Sequence, residues 1–287
     1  MNLQPAWSGS PNPPHWSPGR SNSEKMIPSL VRKKLAAGEP ALTAKVCYSD
    51  PELVELMASA GFDALWICLE HKRIDPATVY AMIQACRLGG ADALMRVKPA
   101  NYTDLLWLLE AGARGIMVPR VRHVDEAREV VAAMKFPPEG RRGCDAIHAE
   151  SNFGRTPMTD YLAQANRENF LLIQIEEPEV VPHIDAIAAL PGVDVLFVGP
   201  GDLTIGLGKC GQFDDPEIVA IMRTVAESCR RHGKVAGIPC GPDQVEHYRK
   251  MGFGFFNVYS DYRGVTGGAR AALEAGRKGL AAPMPTR

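Results

Sequence analysis

Hydrophobic and polar positions along the chain repeat one alternation eight times: a short apolar run of strand length, then a longer stretch with helical spacing. The runs fall at Leu42–Val46, Ala64–Leu69, Ala93–Val97, Gly115–Pro119, Phe170–Ile175, Val193–Val198, Val235–Ile238 and Phe255–Tyr259. Runs that are apolar throughout, without a polar side, are the pattern of strands buried on both faces in a parallel sheet. Helical spacing follows in residues 51–60, 76–88, 103–111, 124–134, 179–190, 216–232, 242–251 and 268–276, with a further helix near the end of the 136–168 connection. Eight such units predict a closed (β/α)8 TIM barrel. The polar, Gly/Pro-punctuated connection over 136–168 is too long for a passive link and reads as a lid or an interface arm.

In a parallel barrel the active site is built at the C-terminal ends of the strands. Glu176 closes the fifth run, and Asp202 follows the sixth after Gly199-Pro200-Gly201. Two carboxylates meeting there suit a hard divalent cation. Taken alone they read equally as two solvated loop acids. Glu70-His71 ends the second run and Arg96 the third. A lone histidine is often a structural hydrogen bonder and a lone arginine a salt-bridge partner, but their shared placement points to function. The glycines of Gly199-Pro200-Gly201 let backbone N–H groups approach an anion. Neither a GxxxxGK[ST] phosphate loop nor a GxGxxG opening is present, which argues against nucleotide binding.

Composition narrows the field. The chain has 287 residues, 46% of them hydrophobic and 23% charged, with a formal net charge of −1. That balance gives no support for nucleic-acid or membrane partners. No run approaches the roughly 18 apolar residues of a membrane span. The seven cysteines form no CxxC pair and read as reduced thiols of a cytoplasmic protein. Residues 1–25, rich in Pro, Ser, Gly and Asn, are expected to form a disordered arm. One barrel domain is expected over 26–280 and a flexible tail over 281–287. Met26 opens the globular pattern and is itself a candidate initiator.

The motifs GFDALWICLEH, LLEAGARGIMVPRV, FPPEGRRG, LLIQIEEPE and VDVLFVGPGDLT followed by GLG carry a resemblance to the HpcH/HpaI aldolase family, the metal-dependent pyruvate aldolases. The likeness runs over most of residues 30–270. It implies that Glu176 and Asp202 hold Mg2+, Mn2+ or Co2+, on which pyruvate sits through its carboxylate and keto oxygen. It implies further that backbone N–H groups at Gly201 and Asp202 take the carboxylate, that Gln174 of the QIE motif binds substrate, and that Arg96 stabilises the enolate. His71, oriented by Glu110, is the implied acid/base. The implied substrates are a keto acid and an aldehyde, combined into or released from 4-hydroxy-2-keto acids. The implied assembly is a homo-oligomer, trimer or hexamer, built by helix exchange.

The sequence departs from the family pattern at four places. Cys68-Leu69 stand where Asp-Gly is usual, Glu110 where the partner of the histidine is usually Asp, Lys45 where an aromatic is common, and Glu150 where Arg is common. These changes are expected to surround the acceptor aldehyde, so two other readings stay open. One is oxaloacetate decarboxylation, or enolate chemistry like that of the similar macrophomate synthase; the other is a barrel that binds a keto acid without turnover. A strand lysine also invites an imine mechanism. With Glu70, Glu176 and Asp202 at the same mouth, Lys45 is expected to stay charged, and either to select an acidic acceptor or to form an ion pair.

Overall fold

The computed structural model describes residues 26–281. Eight strands close into one parallel barrel in sequence order: β1 (Ala41–Val46), β2 (Ala64–Cys68), β3 (Asp92–Arg96), β4 (Gly115–Val118), β5 (Phe170–Ile175), β6 (Val195–Val198), β7 (Val235–Pro239) and β8 (Phe253–Ser260). β8 returns to pair with β1, with Lys45 beside Ser260. The (β/α)8 barrel expected from the hydrophobic pattern is the fold. The expected arm at 1–25 lies outside the described residues, as does the expected tail beyond residue 281.

Alternation within each strand separates two cores. Trp66, Leu94, Phe170, Leu172, Val195, Phe197 and Phe255 point inward and fill the barrel. Their neighbours, among them Leu65, Ile67, Met95, Leu171, Ile173, Leu196 and Phe256, point outward under the helices. This is the period-2 rule of a strand. Each fully buried Phe contributes about 1.5–3 kcal/mol relative to exposure. A Cβ on Gly115 would stand 2.4 Å from the Phe170 ring, and one on Gly237 2.6 Å from Phe197, so the interior is packed with no space for either.

Several elements differ from the sequence expectation; residues 242–251, expected as one helix, for example divide into a 3-10 turn at Pro242–Gln244 and a helix at Val245–Lys250. A helix at Leu30–Ala36, not anticipated, is started by Ser29, whose hydroxyl accepts from the Arg32 N–H. It puts Val31 into the inner cluster, and Asp92 anchors it by accepting from the Ser29 hydroxyl at 2.6 Å and the Val31 N–H at 3.0 Å. Residues 179–190, expected as one helix, are a 3-10 turn at Pro178–His183 followed by a helix at Ile184–Ala188. Pro182 lacks the N–H an α-helix would use there. The last helix starts at Asp261 and runs to Ala281, well beyond the expected 268–276.

Candidate active site

Strand parity builds the site. Lys45 follows Ala41 and Thr43 on β1, Arg96 follows Leu94 on β3, and Gln174 and Glu176 follow Phe170 and Leu172 on β5. Each continues the inward-facing series at the C-terminal mouth, where hydrocarbon gives way to polar groups. A cavity of about 720 Å3 opens there. Lys45, Arg96, Gln174, Glu176, Gly201 and Asp202 all line it.

Three of these form a connected set. The Arg96 guanidinium donates to Gln174 Oε1 at 3.4 Å, and Gln174 Nε2 donates to Glu176 Oε2 at 2.8 Å. Arg96 is 4% exposed and stacks 4.7 Å over the Trp66 ring. Its Nη2 donates to Cys68 Sγ at 2.9 Å, and its Nε lies 3.2 Å from Glu70 Oε2. Neither that Nε nor that carboxylate oxygen completes a hydrogen bond, although both are buried. An off-line buried pair of this kind leaves the guanidinium with donor capacity for a ligand.

Glu176 is 2% exposed, and its Oε1 accepts the Arg120 N–H at 2.8 Å. Burial pushes its carboxyl up to about 7, against that hydrogen bond and with the charges of Asp202 and Glu70 adding. A carboxylate short of compensating charge beside a second carboxylate fits a cation. Gly199 keeps the approach clear: a Cβ there would meet Glu176 Oε2 at 2.5 Å, whereas one on Gly201 would meet nothing within 4 Å. Asp202 lies in the first turn of a short helix, Pro200–Gly206, where sequence reading saw only a glycine loop. Among the described residues no third His, Cys, Asp or Glu joins the two carboxylates into a larger cluster. Two anionic oxygen ligands with solvent access match a cation that keeps part of its water shell.

Arg120 was not among the expected site residues. It adopts φ 57°, a left-handed conformation uncommon for a side chain of its size. That conformation accompanies its N–H pointing at Glu176, while its Nε pairs with Glu177 at 2.7 Å and its Nη1 stands 3.9 Å from Asp202. The signal was the Pro-Arg directly after β4, at the same end of the barrel as the other strand-end residues.

Other expectations are corrected. Glu110 does not orient His71 in this chain. Its carboxylate stands 3.9 Å from His148 Nε2, at the end of the Thr103–Glu110 helix. Among the described residues, the carboxylate within 4.0 Å of the His71 ring is Glu70, at 3.7 Å. His71 is 61% exposed on the rim, and neither it nor Glu110 lines the cavity. Glu150 does not face an acceptor. It is fully buried and paired with Arg142 at 2.5 Å, and it accepts from the Tyr161 hydroxyl at 2.7 Å and Asn169 Nδ2 at 2.6 Å. Cys68 lies under Arg96, and Leu69 packs against the outer core. Of the departures noted in the sequence, Lys45 alone lines the cavity. Its ammonium lies 4.9 Å over Trp66, with no carboxylate within 4.0 Å among the described residues, so the expected alternative of an ion pair is not formed.

The HpcH/HpaI aldolase/citrate lyase family model matches residues 46–265. The chain is 34% identical over 241 residues to 5-keto-4-deoxy-D-glucarate aldolase of Enterobacter sp. (strain 638), covering 83% of this chain and 93% of that protein. It is 36% identical over 230 residues to 2-dehydro-3,6-dideoxy-6-sulfogluconate aldolase of Pseudomonas putida, covering 80% of this chain and 89% of that one. The crystal structure of an HpcH/HpaI aldolase from Desulfitobacterium hafniense DCB-2 superposes with a TM-score of 0.82 at 25% identity, covering 92% of this chain and 100% of that chain. These families of aldolases and lyases generally depend on a divalent metal. The chain belongs to the HpcH/HpaI aldolase/citrate lyase family and is a carbon–carbon lyase of the aldolase kind.

Proposed function

We propose that the cavity cleaves, and in reverse forms, 4-hydroxy-2-keto acids, with pyruvate as the keto product and an aldehyde as its partner. The observation that supports this most directly is the Arg96–Gln174–Glu176 chain of hydrogen bonds at one strand-end mouth. Glu176 and Asp202 would hold Mg2+, Mn2+ or Co2+, which when bound supplies a Lewis acid for the keto acid's oxygens. Arg96 meets the negative charge that develops on the keto oxygen as the carbon–carbon bond breaks. It is held ready by Trp66 and Gln174, and such preorganised charge is commonly the largest contribution to catalysis. Gln174 fixes the Glu176 carboxylate and the Arg96 fork against each other. Gly201, with open space beside it, lets the backbone N–H groups at 201 and 202 reach the keto acid's carboxylate. His71, on the rim beside Glu70, exchanges the proton of the 4-hydroxyl.

The assembly is a homo-oligomer joined through the terminal helix. Residues 267–280 of that helix are exposed throughout, and Tyr262, Val265, Leu273 and Leu280 form an apolar stripe, each at least 54% exposed. A stripe at helical spacing facing water seeks a partner.

The test is pyruvate release from a panel of 4-hydroxy-2-keto acids, with EDTA and with added Mn2+. Turnover that EDTA abolishes and Mn2+ restores is the expected result. Pyruvate from oxaloacetate and from no hydroxy-keto acid overturns the aldol assignment in favour of decarboxylation.

A further inference from the structure

The charged groups around the cavity fall into two sets. Glu176 and Asp202 stand just past the ends of β5 and β6, and Arg96 on β3 is answered by Glu70. Asp214 lines the cavity on the Tyr248 side, where its charge helps to push that phenol up, after burial. That leaves Lys45 and Arg263, which both line the cavity. Neither has a carboxylate within 4.0 Å among the described residues.

Their placement is specific. β1 stands opposite β5 in an eight-strand ring, so Lys45 faces the Glu176 wall across the barrel. Lys45 pairs in register with Ser260 of β8. Arg263 follows three residues later, in the first turn of the terminal helix, with its N–H donating to Ser260 Oγ at 3.3 Å. The helix start is itself fixed: Asp261, 1% exposed, accepts the N–H groups of Cys47 and Tyr48 at 2.8 and 2.9 Å. Lys45 is half-buried and shares the Trp66 indole with Arg96, two cations around one ring. Like charges gathered in a partly desolvated pocket cost free energy unless an anion completes them.

We propose that Lys45 and Arg263 form a subsite that binds an anionic group at the acceptor end of the substrate. The keto end lies at the β5–β6 wall and the distal anion at the β8–β1 wall. The proposal rests on the aldolase reading for which end of the substrate reacts, but the charge selection is a binding property and is measurable without turnover. Arg263, supplied from the root of the terminal helix, is the new member of the site.

The test compares two unreactive probes of equal length, 2-oxoadipate and 2-oxohexanoate, by calorimetry on the full chain with saturating Mg2+. The wild-type protein is expected to bind 2-oxoadipate at least about tenfold more tightly, as charge-assisted contacts imply. Arg263→Met and Lys45→Met should each reduce that preference several-fold, with affinity for 2-oxohexanoate moving much less. Retained 2-oxohexanoate binding shows that the variants are folded. Equal affinities in the wild type overturn the proposal, as does a preference that survives in the double variant. Pyruvate release is scored separately. Its failure with the preference intact removes the aldol chemistry and leaves the anion subsite standing.

Discussion

At the scale of single residues, the site is a set of side chains whose strand parity aims them at one point. Glu176→Gln or Asp202→Asn should lower metal affinity by at least about 10²-fold, read by calorimetry with Mn2+, while leaving the thermal midpoint near that of the wild type. A midpoint unchanged and metal binding also unchanged would remove the two acids from the metal role. Arg120 offers a second test. Its φ of 57° is one that glycine adopts without cost. Arg120→Gly should therefore be more stable than Arg120→Ala by about 1 kcal/mol, the reverse of the usual order, as measured by chemical denaturation. Both keep the N–H that Glu176 accepts. Arg96, Gln174 and Glu176 could be placed at the cavity from the sequence because each stands at the end of an apolar run, a pattern in one dimension, and Asp202 because it follows the next run after Gly199-Pro200-Gly201. Glu110 was not, because whether its carboxylate meets His71 or His148 depends on how the 141–151 loop folds back, and no local pattern records that.

Among elements, the connection between Met134 and the helix at Met158–Glu168 carries an anchor of its own. It was read as a lid or arm on length alone. Its fixed point is Arg142–Glu150, wholly removed from water and braced by Tyr161 and Asn169. Burial pushes the Glu150 carboxyl up, but the Arg142 guanidinium outweighs it and holds the group below its ordinary value of 4.5. A carboxyl lowered in the folded state stabilises fully above pH 4.5, and that contribution is lost as pH falls through the folded value. Glu150→Gln should cost about 3–5 kcal/mol at pH 7, since it strands a buried guanidinium, and should flatten the acid limb of the stability profile below pH 4.5. An unaltered acid limb would locate the pH dependence elsewhere. The helices at Leu30–Ala36 and Pro200–Gly206 were missed for a simpler reason. Each is about two turns long, and a window that short shows no reliable helical period.

For the whole molecule, eight repeats of one pattern made the barrel readable before any contact was known, because a parallel ring buries every strand alike. The terminal helix was less readable. Gly264, Gly267 and Gly268 depress helix propensity just where it begins, so its first two turns were left out. It packs on its own barrel chiefly at β1 and β8, and from Gly267 to Leu280 every residue is exposed. Under the proposed assembly, removing residues 268–287 should yield monomers in sedimentation while leaving the far-ultraviolet spectrum of the barrel in place. An assembly of unchanged mass would place the contact on another face.

The separation of the cavity into two walls has a consequence for how such a chain can change over generations. The groups proposed to handle the keto acid sit on β3 and at or just past the ends of β5 and β6, and the two unanswered cations on β1 and just past β8. On the proposal made above, a mutation at Lys45 or Arg263 would alter what the molecule accepts without touching the Arg96–Gln174–Glu176 set. Neither residue belongs to the tightly packed interior, so drift there carries little risk of misfolding. On the proposed division of the cavity, a lineage built on this plan could change its acceptor by single steps at that wall while the opposite wall stays as it is.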